Sequence, residues 1–533
     1  MKGFSFNGMG SLLFTVVAPE RIGISLFIQT PIMVIGEDNL IMIHVETQPT
    51  ELYSQIHDLI RMAFPDRGLI CSSRGVSDHI SITVDRQGDC IVCKGEVQVE
   101  GRITRESCQY SAISDQANVG IFVGNISRRF VLTLLRHHLG QEINPYGILT
   151  GVRPVKIVHR LLDQDWEQAP ILAHLQDRFL INQDKARLLL EVAAANRPFL
   201  LDRERAKRLL SVYIGIPFCP SRCRYCSFPA NRIHNYDLDV GPFVQALLTE
   251  MRIIGKAIAG LGWQVEAVYI GGGTPTVLSA EHLESIFEVL HQHYISAATR
   301  EITVEAGRPD TITQPGLNRM RRLGVDRVCV NPQTMDEHTL RLIGRNHDAQ
   351  MVREAVEQVR QAGIKYINMD LIVGLPGESL SHFQNTAIQV LELDPDNITI
   401  HSLAAKRGAD LFLDARRPLP KTYAEEVVRG MEWLDHFFRE HGFKPYYLYR
   451  QKHMRANLEN IGYEQGQSPC IYNIQMIEER QTIIGLGGGA NSKYVRPHDF
   501  SLVTLQNPKN PQTYIETVEA LAIRKVDKLQ ALL

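Results

Sequence analysis

Ser211–Ala230 reads SVYIGIPFCPSRCRYCSFPA, and its three thiols, Cys219, Cys223 and Cys226, stand in a C-x3-C-x2-C spacing. Thiols this close can wrap one cuboidal cluster from a single short loop. Iron–sulfur clusters usually take four Cys thiolates, so a set of three leaves one iron for a ligand from outside the chain. A metal site with a vacant position does chemistry, whereas a closed one is structural. Structural zinc and packed thiols remain the alternative readings. A zinc ribbon needs a second Cys or His couple at ligand spacing, and none follows. Pro220, Ser221, Arg222 and Arg224 between the thiols are turn and charge chemistry, poor material for a core.

The apolar strand before these thiols and Tyr225 just before the last of them resemble the radical S-adenosylmethionine (SAM) superfamily. The wording YIGIPFCPSRCRYCSFPA, followed by GGGTPT at Gly271–Thr276, resembles its oxygen-independent coproporphyrinogen III dehydrogenase branch. LTGVRPVKIVHRL from Leu149 resembles the longer HemZ-like members of that branch. The likeness runs from about Ile41 to the C-terminus.

The resemblance implies a 4Fe–4S cluster on Cys219, Cys223 and Cys226, with one SAM or two. By that likeness the catalytic set is the three cysteines and Tyr213. Tyr213, Gly272 and Glu305 would hold the SAM that chelates the cluster. Tyr225, Gly273, Thr274, Gln333, Arg345, Asp370 and Ala404 would line a second SAM or substrate position. The implied chemistry is reductive cleavage of the SAM sulfonium to methionine and a 5′-deoxyadenosyl radical. That radical takes hydrogen from the β-carbon of a coproporphyrinogen III propionate, carbon dioxide leaves and a vinyl group remains, a step of haem biosynthesis. The implied partners are the tetrapyrrole and a low-potential electron donor such as ferredoxin or flavodoxin. One position departs from the branch. Its coproporphyrinogen enzymes carry a further Cys two residues after the third, where this chain has Phe228, as haem-chaperone relatives do. A haem-binding and transfer protein is therefore the rival expectation, and a radical SAM enzyme on another substrate the third.

At 533 residues the chain is long for one core, so two or three domains are expected. Lys and Arg number 57 against 59 Asp and Glu, a net charge of −2, which favours neither nucleic acid nor an anionic membrane as partner. Nine cysteines are an odd count with three already assigned, which argues against a disulfide framework and for a reducing compartment. No apolar run reaches the ~18 residues of a membrane-spanning helix. Lys2 ahead of SLLFTVVA faintly resembles a signal peptide, but Pro19-Glu20-Arg21 follows at once, and the expected location is the cytoplasm. Residues 1–40 are an extension whose sequence says little more.

The expected layout is an N-terminal α+β and helical module over 41–205, a catalytic barrel over 206–405, and a C-terminal domain over 406–533 that covers the barrel mouth. NLIMIHVE, YSQIHDLIRMAF, ISITVDR and CIVCKGEVQVEG read as strand, helix, strand and strand. Cys90 and Cys93 form a CxxC, but at that spacing on a strand they point to opposite faces, so packed thiols are expected. His137, His138 and His159 lie on amphipathic helices without acidic or thiol companions at ligand spacing, and read as solvated or packed side chains.

From Val212 the rhythm alternates. Apolar strands at Val212–Pro217, Glu266–Ile270, Glu301–Glu305, Asp326–Val330, Tyr366–Val373 and Asn397–Leu403 are separated by helical stretches. Six β/α units give an α/β fold with a parallel sheet, curled or doubly wound; the resemblance favours the six-stranded partial (β/α)6 barrel with a mixed C-terminal extension. Ligand sites in such folds form at the C-terminal strand ends, where the cysteines, Gly271–Pro275, Glu305, Gln333 and Asp370 fall. The glycines are expected to leave backbone groups open to a ligand. Glu305, Arg345 and Asp370 are costly to bury unless a polar ligand or a mutual Arg–Asp pair satisfies them. Gly485, Gly487 and Gly489 mimic a dinucleotide fingerprint without the acidic residue about twenty positions on, and read as backbone closing over the mouth.

Overall fold

The computed structural model describes residues 41–71, 76–111, 119–228, 231–232, 240–404, 406, 408–411, 421–452 and 454–532. The expected extension, residues 1–40, lies outside them. Residues 42–533 form one compact unit.

Its first sheet has the order β2-β1-β3-β4-β5. The strands are β1 (Met42–Gln48), β2 (Gly68–Ile70), β3 (Asp78–Gln87), β4 (Cys90–Val99) and β5 (Arg102–Ser111), with α1 (Leu52–Ala63) and α2 (Val119–Leu139) beside them. Period-two positions Ile80, Ile82, Ile91, Cys93 and Val97 are buried with Ile56, Leu59, Phe130 and Leu134 of the helices. β5, RITRESCQYS, is largely exposed and polar, which is why no apolar alternation announces it. Cys93 is fully buried and Cys90 is not, as their spacing requires. Burial pushes the Cys93 thiol up to about 12, the property of a packing group. His137 is exposed beside Glu106, and His138 is buried against Thr104 Oγ1 at 3.0 Å.

Helices α3 (Val155–Leu162), α4 (Gln168–Phe179) and α5 (Gln183–Asn196) follow. The stretch LTGVRPVKIVHRL is a docking strip. Leu149 O accepts from Arg450 Nη1 at 2.7 Å, and Val152 O accepts from Arg450 N at 2.8 Å. Arg153 and Lys156 pair with Glu479 at 3.0 and 2.7 Å, and buried His159 faces buried Glu478 at 3.4 Å.

The second sheet holds the six expected parallel strands: β6 (Leu209–Ile216), β9 (Gln264–Gly272), β10 (Glu301–Glu305), β11 (Arg327–Cys329), β12 (Tyr366–Val373) and β13 (Asn397–Ser402). A two-residue pair, β7 (Phe218–Cys219) and β8 (Asn231–Arg232), sits at the top of β6. The crossover helices include α6 (Gly241–Gly260), α7 (Ala280–His293), α8 (Gln314–Arg322), α9 (Glu337–Leu342), α10 (Ala349–Gln361) and α11 (Leu380–Leu391). Four start on side-chain caps: Ser279, Thr313, Asp336 and Asp348 accept the N–H three residues on. Because helices cover the sheet, its strands are apolar on both faces. Among the described residues no pairing closes the sheet into a ring, so the fold is α/β with a partial barrel.

The C-terminal chain differs from its expectation. α12 (Lys421–Glu440), β14 (Lys444–Tyr449) and β15 (Asn460–Glu464) extend the sheet beyond β13, while α13 (Ile471–Glu478) leads to β16 (Thr482–Gly487) on the opposite edge, parallel to β6. β17 (Asn491–Val495) and β18 (Leu502–Gln506) continue outward. The glycine stretch thus does not fold over the mouth. It lies so close to β6 that a Cβ on Gly487 would fall 2.3 Å from Gly215 O, which is why small residues are needed.

The last helix, α14 (Pro511–Gln530), is locked to α6 and β16 by a buried ion pair. Glu250 accepts from Lys525 Nζ at 2.7 Å, Tyr514 Oη at 2.6 Å and Gly487 N at 2.8 Å, with both charged groups essentially inaccessible. Removing one partner strands the other charge in a dry site. Lys525→Met is expected to lower stability by about 3–5 kcal/mol, read as a fall in the urea midpoint; an unchanged midpoint would contradict this.

Candidate active site

One open cavity of about 280 Å³ at the C-terminal strand ends brings together twelve of the thirteen expected site residues: Cys219, Cys223, Tyr225, Cys226, Gly272, Gly273, Thr274, Glu305, Gln333, Arg345, Asp370 and Ala404. Tyr213 is the exception. It stacks behind the wall on Tyr269 and Tyr472, at centroid distances of 6.2 and 6.0 Å, with its hydroxyl near Gly272.

The cysteine loop is clamped to the end of β9. Gly273 N donates to Ile216 O at 2.8 Å, and Thr274 N to Phe218 O at 2.7 Å. A Cβ on Gly273 would lie 2.3 Å from Phe218 O, and one on Gly271 would lie 2.6 Å from the Glu305 carboxyl carbon. The glycines therefore serve close packing of chain against chain. The expectation that their N–H groups stay open does not hold, since Gly272 N donates to Glu305 Oε2 at 3.0 Å.

The sulfurs meet cationic and hydroxyl donors. Thr274 Oγ1 points at Cys219 Sγ at 3.5 Å, and Arg308 Nη1 and Arg345 Nη1 point at Cys223 Sγ at 3.8 and 3.9 Å. Burial pushes the Cys219 thiol up to about 11 and raises Cys226 as well. In the absence of a positive centre these groups hold their protons, and ligation of iron must displace them.

Burial also raises Glu305, to about 7, against the pull of Tyr269 Oη, which donates to Oε1 at 2.7 Å. Gln333 adopts a left-handed backbone, φ +70°, and its buried Oε1 has no hydrogen-bond partner. Arg345 donates to Tyr225 Oη at 3.3 Å, to Gly307 O at 2.8 Å and to Asn331 O, all neutral acceptors. Asp370 accepts from Asn331 Nδ2 and Asn368 Nδ2, both at 2.8 Å, and lies 3.7 Å from His401 Nε2. The mutual Arg345–Asp370 pair considered from the sequence is thus replaced by separate partners.

Sequence reasoning missed Arg308, Asn331, His401 and Lys406, which also line or brace this cavity, while Tyr449, one of the tyrosines of PYYLYRQ that the sequence offers as packing for a tetrapyrrole, lines it too. Arg308 follows β10 directly, and the strand-end rule that found Glu305 would have reached it. His401 and Tyr449 join through a 3.3 Å contact between β13 and β14 that no spacing reveals.

The radical SAM superfamily profile matches residues 213–390. The oxygen-independent coproporphyrinogen-III oxidase-like protein HemZ of Bacillus subtilis is 36% identical over 452 residues, 85% of this chain and 90% of that one. The chain belongs to the radical SAM superfamily, in its HemZ-like branch. The heme chaperone HemW of the same organism is 34% identical over 195 residues, 36% of this chain and 50% of that one. Among solved structures, coproporphyrinogen III oxidase (HemN) of Escherichia coli, a radical SAM enzyme, is 21% identical, with 63% of this chain and 73% of that chain covered and a TM-score of 0.47.

The cofactors of this radical SAM protein are a 4Fe–4S cluster and SAM. The donor set fits them. Three thiols open on one cavity, N–H and O–H groups face their sulfurs, and Gln333 Oε1 and Arg345 Nε are buried polar atoms without partners among the described residues. Because the Gly273 contact is backbone to backbone, Gly273→Ala is expected to displace the cysteine loop. Iron per chain after anaerobic reconstitution should fall to a minor fraction of wild type with the circular dichroism spectrum kept; full iron content would contradict the clamp.

Proposed function

We propose that this radical SAM protein oxidatively decarboxylates the propionates of coproporphyrinogen III to vinyl groups without oxygen. The observation that carries the reading is the shared cavity: the three thiols open on the same space as Phe228, Ile372, Leu403 and Tyr449, an apolar and aromatic wall suited to the pyrrole rings of a tetrapyrrole. The likeness to HemZ over most of both chains supports it.

Cys219, Cys223 and Cys226 would hold the cluster, whose bound SAM supplies hydrogen-atom abstraction. Arg308 is fixed on Asp310 by two bonds, at 2.9 and 2.8 Å, and braces Ser221 Oγ at 2.9 Å, so the loop keeps its shape while thiols are exchanged for thiolates. Arg345 and Gln333 would orient SAM or substrate, with Glu305 and Gly272 on the facing edge. Opposite them, Asp370, His401 and Tyr449 form a polar line through contacts of 3.7 and 3.3 Å. Phe228, Ile372 and Leu403 would seat the ring and keep water from the reacting carbon.

A second reading, haem binding and transfer, is favoured by Phe228 standing where the coproporphyrinogen enzymes have a further Cys, and by the likeness to HemW. Anaerobic incubation with SAM, dithionite and coproporphyrinogen III separates the two. The first reading expects carbon dioxide, 5′-deoxyadenosine and a tetrapyrrole with vinyl groups. Stoichiometric haem uptake with no such product would overturn it in favour of the second.

A further inference from the structure

Two features of the cavity mouth are unexplained by the cluster and its clamps. Lys406 lines the cavity, yet its ammonium has no hydrogen bond or ion pair among the described residues. A partly buried ammonium without a counter-charge is costly to keep. Phe228 lines the same cavity and is 55% exposed, whereas the other large apolar residues there, Ile372 and Leu403, are 7% and 5% exposed. Phe228 is thus a largely exposed aromatic on the cavity, and Lys406 a cation without a charge partner among the described residues.

We propose that Phe228 and Lys406 form one site for an amphipathic ligand, Phe228 stacking on an apolar ring plane while Lys406 takes a carboxylate carried on that ring. The ring is the tetrapyrrole of the function above, on which this proposal rests. The carboxylate is a propionate, present on coproporphyrinogen and on haem alike, so the site serves either reading. A charge-assisted bond is the natural complement of an unpaired ammonium, and an aromatic face the natural complement of a macrocycle. Phe228 then does more than replace a thiol: it supplies ring contact at a place where Cys would supply little area. The other carboxylate that could reach Lys406 belongs to the aminoacyl group of SAM.

The test titrates the cluster-loaded protein anaerobically with coproporphyrin III and with its tetramethyl ester, which keeps the ring and removes the charges, following porphyrin fluorescence. SAM affinity is measured alongside. Wild type is expected to prefer the free acid on the order of tenfold to a hundredfold. Lys406→Met should erase that preference with SAM affinity unchanged, and Lys406→Arg should retain it. Phe228→Ala should weaken acid and ester alike. A preference that survives Lys406→Met overturns the carboxylate assignment while leaving the tetrapyrrole reading intact. Loss of SAM affinity in Lys406→Met with porphyrin binding unchanged overturns it in favour of the SAM carboxylate. Failure of wild type to bind either porphyrin overturns the tetrapyrrole reading and this site together. Iron–sulfur absorbance equal to wild type shows that each variant carries its cluster.

Discussion

The loop from Cys219 to Cys226 holds three thiols in place because the barrel grips it from outside. Its own backbone contributes one internal bond, Cys226 N to Cys223 O at 3.1 Å. Its entry is fastened to β9 through Gly273 and Thr274. Its middle is fastened to two segments: to the turn after α9, where Arg224 N donates to Ile343 O at 2.9 Å, and to the chain after β13, where Arg224 O accepts from Leu411 N at 2.8 Å. Ordering a short polar loop costs conformational entropy of about 1–2 kcal/mol per residue. Here the sheet meets that cost in advance, so the ligand set is preorganised rather than gathered by the metal.

Some buried charges in the molecule are closed on one another: Lys525 on Glu250, Arg327 on Glu301 at 3.1 Å with Asn397 beside it, and, beside the loop itself, Arg308 on Asp310. At the cavity, among the described residues, Arg345 donates to neutral oxygens and the Cys223 sulfur, Lys406 has no acidic partner, and burial raises Glu305 to about 7. Open charge in a low-dielectric wall persists where a ligand completes it. An anionic cluster, a zwitterionic sulfonium and a carboxylate-bearing ring are ligands of that kind.

Much of the barrel is legible in the sequence because a parallel sheet covered by helices needs continuous apolar runs of strand length, and six such runs stand between Val212 and Leu403. The positions of Glu305 at the end of the third strand, Gln333 just past the fourth and Asp370 within the fifth follow from the same rhythm. β5 is hidden because its exposed residues RITRESCQYS carry no apolar period. The C-terminal strands are recognisable as strands, but their positions on opposite edges depend on long-range pairing, β15 with β13 and β16 with β6. The glycines of Gly271–Gly273 are visible, yet their purpose is decided by what lies within 3 Å of each α-carbon, which only the folded chain reveals. His401 and Lys406 carry no motif and become site residues only where the end of β13 and the residues after it meet the cavity.

The central claim is that three thiols bind a cluster whose remaining iron is left for SAM. The most direct measurement is the electron paramagnetic resonance spectrum of the anaerobically reconstituted, dithionite-reduced protein, recorded before and after addition of SAM. The account predicts a reduced-cluster signal whose shape changes, saturably, when SAM is added. Iron-free protein after reconstitution, or a cluster signal indifferent to SAM, would contradict it.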